Sequence, residues 1–180
     1  MQVIPSTLSG LFIIKLKIFE DARGYFYESY NKEIFHKHGI TDEFLQDNQS
    51  LSQKGVLRGL HFQNPPHAQS KLVRVISGSV LDVAVDVRKN SPTYGKHYAE
   101  VLSEQNKKML FVPEGFAHGF LVLEDNTIFS YKCSRVYNKE SEDAILWCDE
   151  DININWGIKK PVVSEKDKVA KKFREFTSKF

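Results

Sequence analysis

Short runs in which apolar and polar residues alternate, broken by turn residues every ~8–12 positions, leave this chain few options other than a stack of β-strands. The clearest is KLVRVISGSVLDVAVDVR, Lys71 to Arg88. Successive strand side chains point to opposite sides, so Lys71, Val73 and Val75 share one face, and Leu81, Val83, Val85 and Val87 share a face of the next segment. The Ser77-Gly78-Ser79 turn between them predicts a hairpin. LFIIKLKIF, Leu11 to Phe19, predicts a strand closed by the turn DARG, and YFYESY continues in the same manner. After the turn Asn90-Ser91-Pro92-Thr93-Tyr94-Gly95, the runs YAEVLS, KMLFV, GFLVLE and TIFSYKCSRVY add four more. About eight to ten strands with few helices predict a β-sandwich or barrel.

Two segments have a different period. In NKEIFHKHG, Asn31 is placed to cap a helix, Glu33 lies in its first turn and Gly39 stands just past its end. Ser164-Glu165-Lys166-Asp167 has the form of a capping box and predicts a C-terminal helix, whose lysine-rich continuation to Lys179 reads as a solvated face. The 180 residues, 41% of them hydrophobic and 27% charged, suit one domain spanning 1–180 with a full core. A net charge of +2 is too mild to imply nucleic acid. Cys133 and Cys148 lie far apart without a CxxC spacing, which suggests neither a disulfide framework nor a zinc knuckle and fits a reducing cytoplasm. The N-terminus lacks the pattern of a signal peptide, and no run approaches the ~20 apolar residues of a membrane span. These features predict a soluble, cytoplasmic protein without membrane or nucleic-acid partners.

The chemistry-bearing candidates begin with Lys71, a cation on the face of Val73 and Val75. At a strand's first position it can snorkel to water, or it can stand in a pocket and stabilise charge developing on a substrate oxygen. His61, in VLRGLHF, is expected on the face of Leu57 and Gly59, where the small glycine leaves room for something to approach; a hydrogen-bonded core histidine is the alternative. Pro113-x-Gly115-x-x-His118 resembles the second motif of the cupins, double-sheet jelly rolls whose metal-binding members carry H-x-H and a following glutamate in a first motif. That first motif is broken here: Gln63 replaces the second histidine, and His67 or Ala68 stands where the glutamate belongs. His61 and His118 with only His67 as a third candidate fall short of three firm ligands, so no metal is expected.

Eight blocks in order carry a closer resemblance: DARGYFYESYN, QDNQS, KGVLRGLHFQ, KLVRVISGSVLDVAVDVRKNSPTYG, LFVPEGFAHGFLVL, YKCSRVYN, ILWCDEDININW and VVSEKD. Together they resemble the dTDP-4-dehydrorhamnose 3,5-epimerase family. The resemblance implies an all-β, cupin-type double-sheet jelly roll with short flanking helices, working as a homodimer on a dTDP-sugar without metal or organic cofactor. It implies that His61 removes the protons on carbons 3 and 5 of a 4-keto sugar, and that Asp167 orients His61. Lys71 would face the 4-keto oxygen and Tyr131 would return a proton to the opposite face. Substrate contacts would come from Arg23, Glu28, Gln46, Asn48, Arg58, His118, Glu142 and Lys166, Glu142 being placed only by its spacing before ILW.

The chemistry requires such a set. A proton next to a ketone is too weakly acidic for a neutral base unless the enolate oxygen is stabilised as charge develops. Inversion needs a second group on the far face, and a tyrosine with a pKa near ~10 keeps its proton at neutral pH. Arginine offers the planar fork suited to diphosphate oxygens. Two other readings use the same residues: an epimerase acting at one carbon or a 3,4-ketoisomerase on a related nucleotide sugar, and a noncatalytic cupin that binds sugar nucleotides. Base, cation and acid on three separate strands count against the last.

Overall fold

The structure, a computed structural model, describes all 180 residues. The chain runs through β1 (Gln2–Pro5), β2 (Phe12–Lys15), β3 (Phe19–Asp21), β4 (Gly24–Phe26), α1 (Lys32–Lys37), β5 (Gln46–Ser52), β6 (Leu57–Gln63) and β7 (Lys71–Ser77). It continues through β8 (Ser79–Asp86), β9 (His97–Ser103), β10 (Lys108–Val112), β11 (Phe116–Val122), β12 (Thr127–Cys133), β13 (Glu142–Ala144) and α2 (Glu165–Lys168). A six-stranded antiparallel sheet, ordered β1-β2-β10-β7-β12-β5, packs against a five-stranded one, ordered β13-β6-β11-β8-β9. This is the sandwich that the strand count predicts, in the form of the double-sheet jelly roll with short helices that the resemblance implies.

Alternation decides what each sheet buries. Val73 and Val75 of β7, Leu110 of β10 and Phe129 of β12 meet Val80 and Ala84 of β8 and Phe120 of β11 between the sheets. The outer faces are covered too. Val83 and Val85 of β8, Leu60 and Phe62 of β6 and Leu121 of β11 pack under Ile152, Trp156 and Phe176 of the C-terminal segment. Ile14, Leu72, Met109 and Phe111 of the six-stranded sheet pack against Phe35 of α1 and Ile40. The helix begins as expected, with the Asn31 Oδ1 accepting from the Ile34 N–H at 3.3 Å.

Three local expectations are corrected. β7 and β8 do not form a hairpin: β7 pairs with β10 and β12, whereas β8 pairs with β11 and β9 in the opposite sheet. The chain crosses the sandwich at Gly78, whose φ is +79° and where any Cβ would collide with the Thr127 Oγ1, so the position admits no side chain. LFIIKLKIF is not one strand, because β2 ends at Lys15 and is paired on both sides by β1 and β10. Its distal part and YFYESY instead make a small arm, β3 with β4, whose six residues are all exposed. The C-terminal helix is four residues long, and beyond it Phe173, Phe176 and Phe180 pack on the five-stranded sheet, so this tail is a cover for the core and not a solvated helix.

Candidate active site

At one end of the sandwich the inward-facing positions turn polar and enclose a cleft of about 670 Å³. From the six-stranded sheet come Asn48 of β5, Lys71 of β7 and Tyr131 of β12; from the five-stranded sheet come Arg58 and His61 of β6 and His118 of β11. Lys166 and Asp167 close the rim from α2. A smaller adjoining cavity of about 170 Å³ shares Asn48, His61, Lys71 and Tyr131 and adds Gln46, Cys133, Tyr137 and Glu142.

A β-bulge aims His61. In the pairing of β6 with β11, His61 lies opposite His118 and Arg58 opposite Phe120, so Gly59 and Leu60 together face the single residue Gly119. The extra residue reverses the parity of the strand. Leu57 therefore shares the outer face with Leu60 and Phe62, while Arg58 and His61 both face the cleft. The expected face shared by His61, Leu57 and Gly59 is corrected accordingly. What approaches Gly59 is backbone: a Cβ there would lie 2.5 Å from the Gly119 Cα.

The side chain of His61 is one-third exposed, and its Nε2 lies 2.6 Å from the Oδ1 of Asp167, which is 3% exposed. The Ser164 hydroxyl accepts the Asp167 backbone N–H at 3.1 Å, so Asp167 serves two roles at once: its backbone completes the helix cap and its carboxylate holds the histidine. Burial pushes the Asp167 carboxyl up, but His61, the Ser164 hydroxyl and the Gly59 N–H outweigh it and hold the group below the usual carboxylate range. An ionised carboxylate only accepts, so Nε2 carries a proton and Nδ1 is left as the basic edge of the ring.

Lys71 is buried rather than snorkelling, with 9% of its surface exposed, and its Nζ donates to the His61 carbonyl at 3.3 Å across the sandwich. Burial lowers its pKa below the usual lysine range, opposed by Cys133, Asp82 and Glu142. Burial, with Cys133 adding to it, raises the Tyr131 pKa against the opposing pull of Asn48 and Arg58, so the phenol keeps its proton at neutral pH. The Nε and Nη2 of Arg58 donate to the Ser52 hydroxyl at 3.3 and 3.1 Å. The Gln46 amide donates to the Asn48 Oδ1 at 3.0 Å. Glu142 joins the Lys166 ammonium at 2.5 Å and accepts from the Tyr137 hydroxyl at 2.9 Å. Burial raises the Glu142 carboxyl, but Lys166, Tyr137 and His61 hold it below its usual range. The Nε2 of His118 lies 2.9 and 3.0 Å from the two oxygens of Asp82, and His67 turns to the Ser141 hydroxyl at 2.9 Å.

The structure thus brings together ten of the residues singled out in the sequence and leaves two apart. Arg23 sits in the turn between β3 and β4, its side chain 89% exposed and paired with Asp21, and neither it nor Glu28 lines the cleft. Sequence reasoning misses two residues. Asp82 lies on the face opposite Leu81, Val83, Val85 and Val87, the more polar side of this segment in the sequence, and only the structure turns that side inward. Tyr137, 55% exposed at the mouth, offers no pattern, although an exposed ring there can stack on a planar base.

The model of the dTDP-4-dehydrorhamnose 3,5-epimerase family matches residues 5–175. A dTDP-4-dehydrorhamnose 3,5-epimerase of Shigella flexneri is 51% identical over 174 residues, covering 96% of each chain. The crystal structure of such an enzyme from Elizabethkingia anophelis is 48% identical, with a TM-score of 0.92 over 97% of each chain. A dTDP-6-deoxy-D-glucose-3,5-epimerase from Legionella pneumophila, solved with dTDP-4-keto-L-rhamnose, is 46% identical with a TM-score of 0.92, over 96% of this chain and 93% of that one. With a cleft that carries an imidazole on a buried carboxylate opposite a phenol and an ammonium, this chain belongs to the dTDP-4-dehydrorhamnose 3,5-epimerase family.

Proposed function

We propose that the chain converts dTDP-4-dehydro-6-deoxyglucose to dTDP-4-dehydro-L-rhamnose by inverting carbons 3 and 5, with residues 1–180 acting as one domain. The observation that carries the mechanism is the placement of base and acid on opposite walls: His61 stands on β6 of one sheet and Tyr131 on β12 of the other. A flat enolate held between the sheets has one face toward each. The Nδ1 of His61 takes the proton next to the ketone, and the electron pair moves onto the 4-keto oxygen. The Lys71 ammonium stabilises that oxygen in a water-poor site, where a single donor is worth ~10²–10³ in rate. Tyr131 then protonates the carbon from the far face, and the imidazolium and phenolate return to their starting states by proton exchange with solvent. Asp167 stabilises the imidazolium, as a buried carboxylate does in a serine-protease triad. No step calls for a metal or organic cofactor.

Gln46, Asn48, Arg58, His118, Glu142 and Lys166 surround this centre and supply contacts to sugar, diphosphate and base. Arg23 and Glu28 fit the same set of contacts through a homodimer. Their arm exposes Phe19, Tyr25 and Phe26 at 52, 56 and 70%, an apolar surface that a second copy would cover while carrying Arg23 toward its cleft. Light scattering is expected to give a dimer, and a stable, active monomer at micromolar concentration would contradict that assembly.

Incubation with dTDP-4-keto-6-deoxyglucose in deuterated water, read by NMR, tests the reaction. Label is expected at both carbons 3 and 5. Label at one carbon would make the chain a single-site epimerase, and no label would sink the enzyme reading for this substrate.

A further inference from the structure

The mechanism above makes no use of Asp82. This carboxylate is fully buried on β8, at inward parity with the apolar Val80 and Ala84. A buried carboxylate costs several kcal/mol unless donors and counter-charge satisfy it. The one side-chain donor within reach is the Nε2 of His118, 2.9 and 3.0 Å from its two oxygens, and the nearby ammonium is that of Lys71. His118 is 6% exposed, yet its ring lines the cleft, and its Nδ1 has no partner in the chain. His118 lies directly opposite His61 in the pairing of β11 with β6. Two imidazoles, each tied through Nε2 to its own buried aspartate, therefore stand side by side on one wall, with Lys71 reaching over from the other.

The chemistry differs between the pairs. Besides His61, the Ser164 hydroxyl and the Gly59 N–H help to hold the Asp167 carboxyl in its charged form. Asp82 has only His118 and the field of Lys71. We propose that Asp82 is a positioning residue for the epimerisation: it fixes His118 with its Nδ1 edge toward the substrate, and it supplies the counter-charge against which the Lys71 ammonium is held. The groups facing Lys71 are Cys133 from β12, Glu142 from β13, Asp82 from β8 and the His61 carbonyl from β6. Of these, Cys133 is a thiol whose pKa burial pushes up, and Glu142 is already joined to Lys166. Asp82 is thus the anion with no ammonium or guanidinium partner of its own, and the one on which a charged lysine beside the enolate depends.

Asp82→Asn keeps the size and one acceptor but removes the charge. It is expected to lower kcat by ~10-fold or more while KM stays within ~3-fold, because the loss is felt where enolate charge develops. Deuterium exchange at carbons 3 and 5 should fall together. The alkaline limb of kcat/KM should move to lower pH by about one unit: an anion near Lys71 favours its protonated form, and without that anion the ammonium loses its proton earlier. An Asp82→Asn enzyme with unchanged kcat and alkaline limb would overturn the proposal, as would a loss of kcat with the limb unmoved, which a scaffold role alone produces. Should the variant not fold, 15N NMR of the histidine-labelled wild type decides, with His118 assigned by its disappearance in His118→Gln. A proton on Nε2 supports the proposal, and a neutral ring with its proton on Nδ1 overturns it. The proposal rests on the epimerase reading, and wild-type exchange separates the two: exchange in wild type with an unaffected variant overturns the role of Asp82 alone, whereas no wild-type exchange overturns the reading beneath it.

Discussion

The same strands build two unlike halves of the space between the sheets. At one end β7, β12, β8 and β11 contribute Val75, Phe129, Val80 and Phe120; toward the other they contribute Lys71, Tyr131, Asp82 and His118. The first half stabilises the fold, since burying a Val, Leu or Phe side chain is worth ~1.5–3 kcal/mol. The second half returns little, because a satisfied hydrogen bond nets only ~1 kcal/mol and a buried ammonium is costly. Backbone ladders run through both halves, so the apolar end holds rigid the side chains that the polar end would not hold by itself. Substitutions at the two ends should therefore separate stability from turnover.

The largest expected effect is at the apolar end. Leu110, fully buried on β10 away from the cleft, should cost ~2–5 kcal/mol of stability as Leu110→Ala, with the folded enzyme turning over normally. Denaturant unfolding together with kcat below the transition checks this; a large loss of kcat in the folded variant would break the division. Lys71→Met is the mirror image. Exchange and epimerisation should fall by ~10²-fold or more, as for the loss of one oxyanion donor, while stability changes by the balance of two opposed effects, a buried ammonium removed and the Asp82 carboxylate left without its counter-charge. Tyr131→Phe sharpens the contrast within the polar end: His61 can return a proton to the face it took it from, so exchange should persist while inversion fails. Equal loss of both activities in the two variants would remove the distinction between cation and acid.

Asp167→Asn should reduce turnover by ~10²-fold yet melt near wild type, since the Ser164 hydroxyl still accepts the backbone N–H of residue 167. Near-normal turnover would return Asp167 to the helix cap. The smallest effect is on acid stability. The Asp167 carboxyl is held below the usual carboxylate range in the folded chain, so its contribution is present above the pKa of the unfolded chain and lost as pH falls through the folded one. Thermal melts from neutral pH to below the carboxylate range should show a shallower acid decline in Asp167→Asn than in wild type, and identical slopes would mean that the carboxylate is not held this way.

Much of the site was legible because alternation is a local property. Strand parity put Lys71 on the face of Val73 and Val75, and the structure buries all three there. The order of motifs pointed to the cleft residues of β5, β6, β7, β11, β12, β13 and α2. His61 escaped the parity argument because one extra residue at Gly59–Leu60 reverses the strand, and that bulge follows from the close meeting of Gly59 with Gly119, far along the chain. Asp82 escaped because alternation made Leu81, Val83, Val85 and Val87 the apolar face, whereas β8 is covered on both sides and turns Asp82 inward beside His118.

The amino-acid sequence by itself determined which residues of an unbulged strand face together, where α1 begins, and that an imidazole, an ammonium and a phenol lie on separate strands. The tertiary structure alone decided that β7 and β8 stand in opposite sheets, and that the phenol and the imidazole line the cleft from opposite sheets. The physical reason is that alternation specifies two faces of a strand but not its partner. Partners are chosen when apolar faces from distant segments are buried together, and a Ser-Gly-Ser turn serves a hairpin or a crossing equally well until that burial selects one.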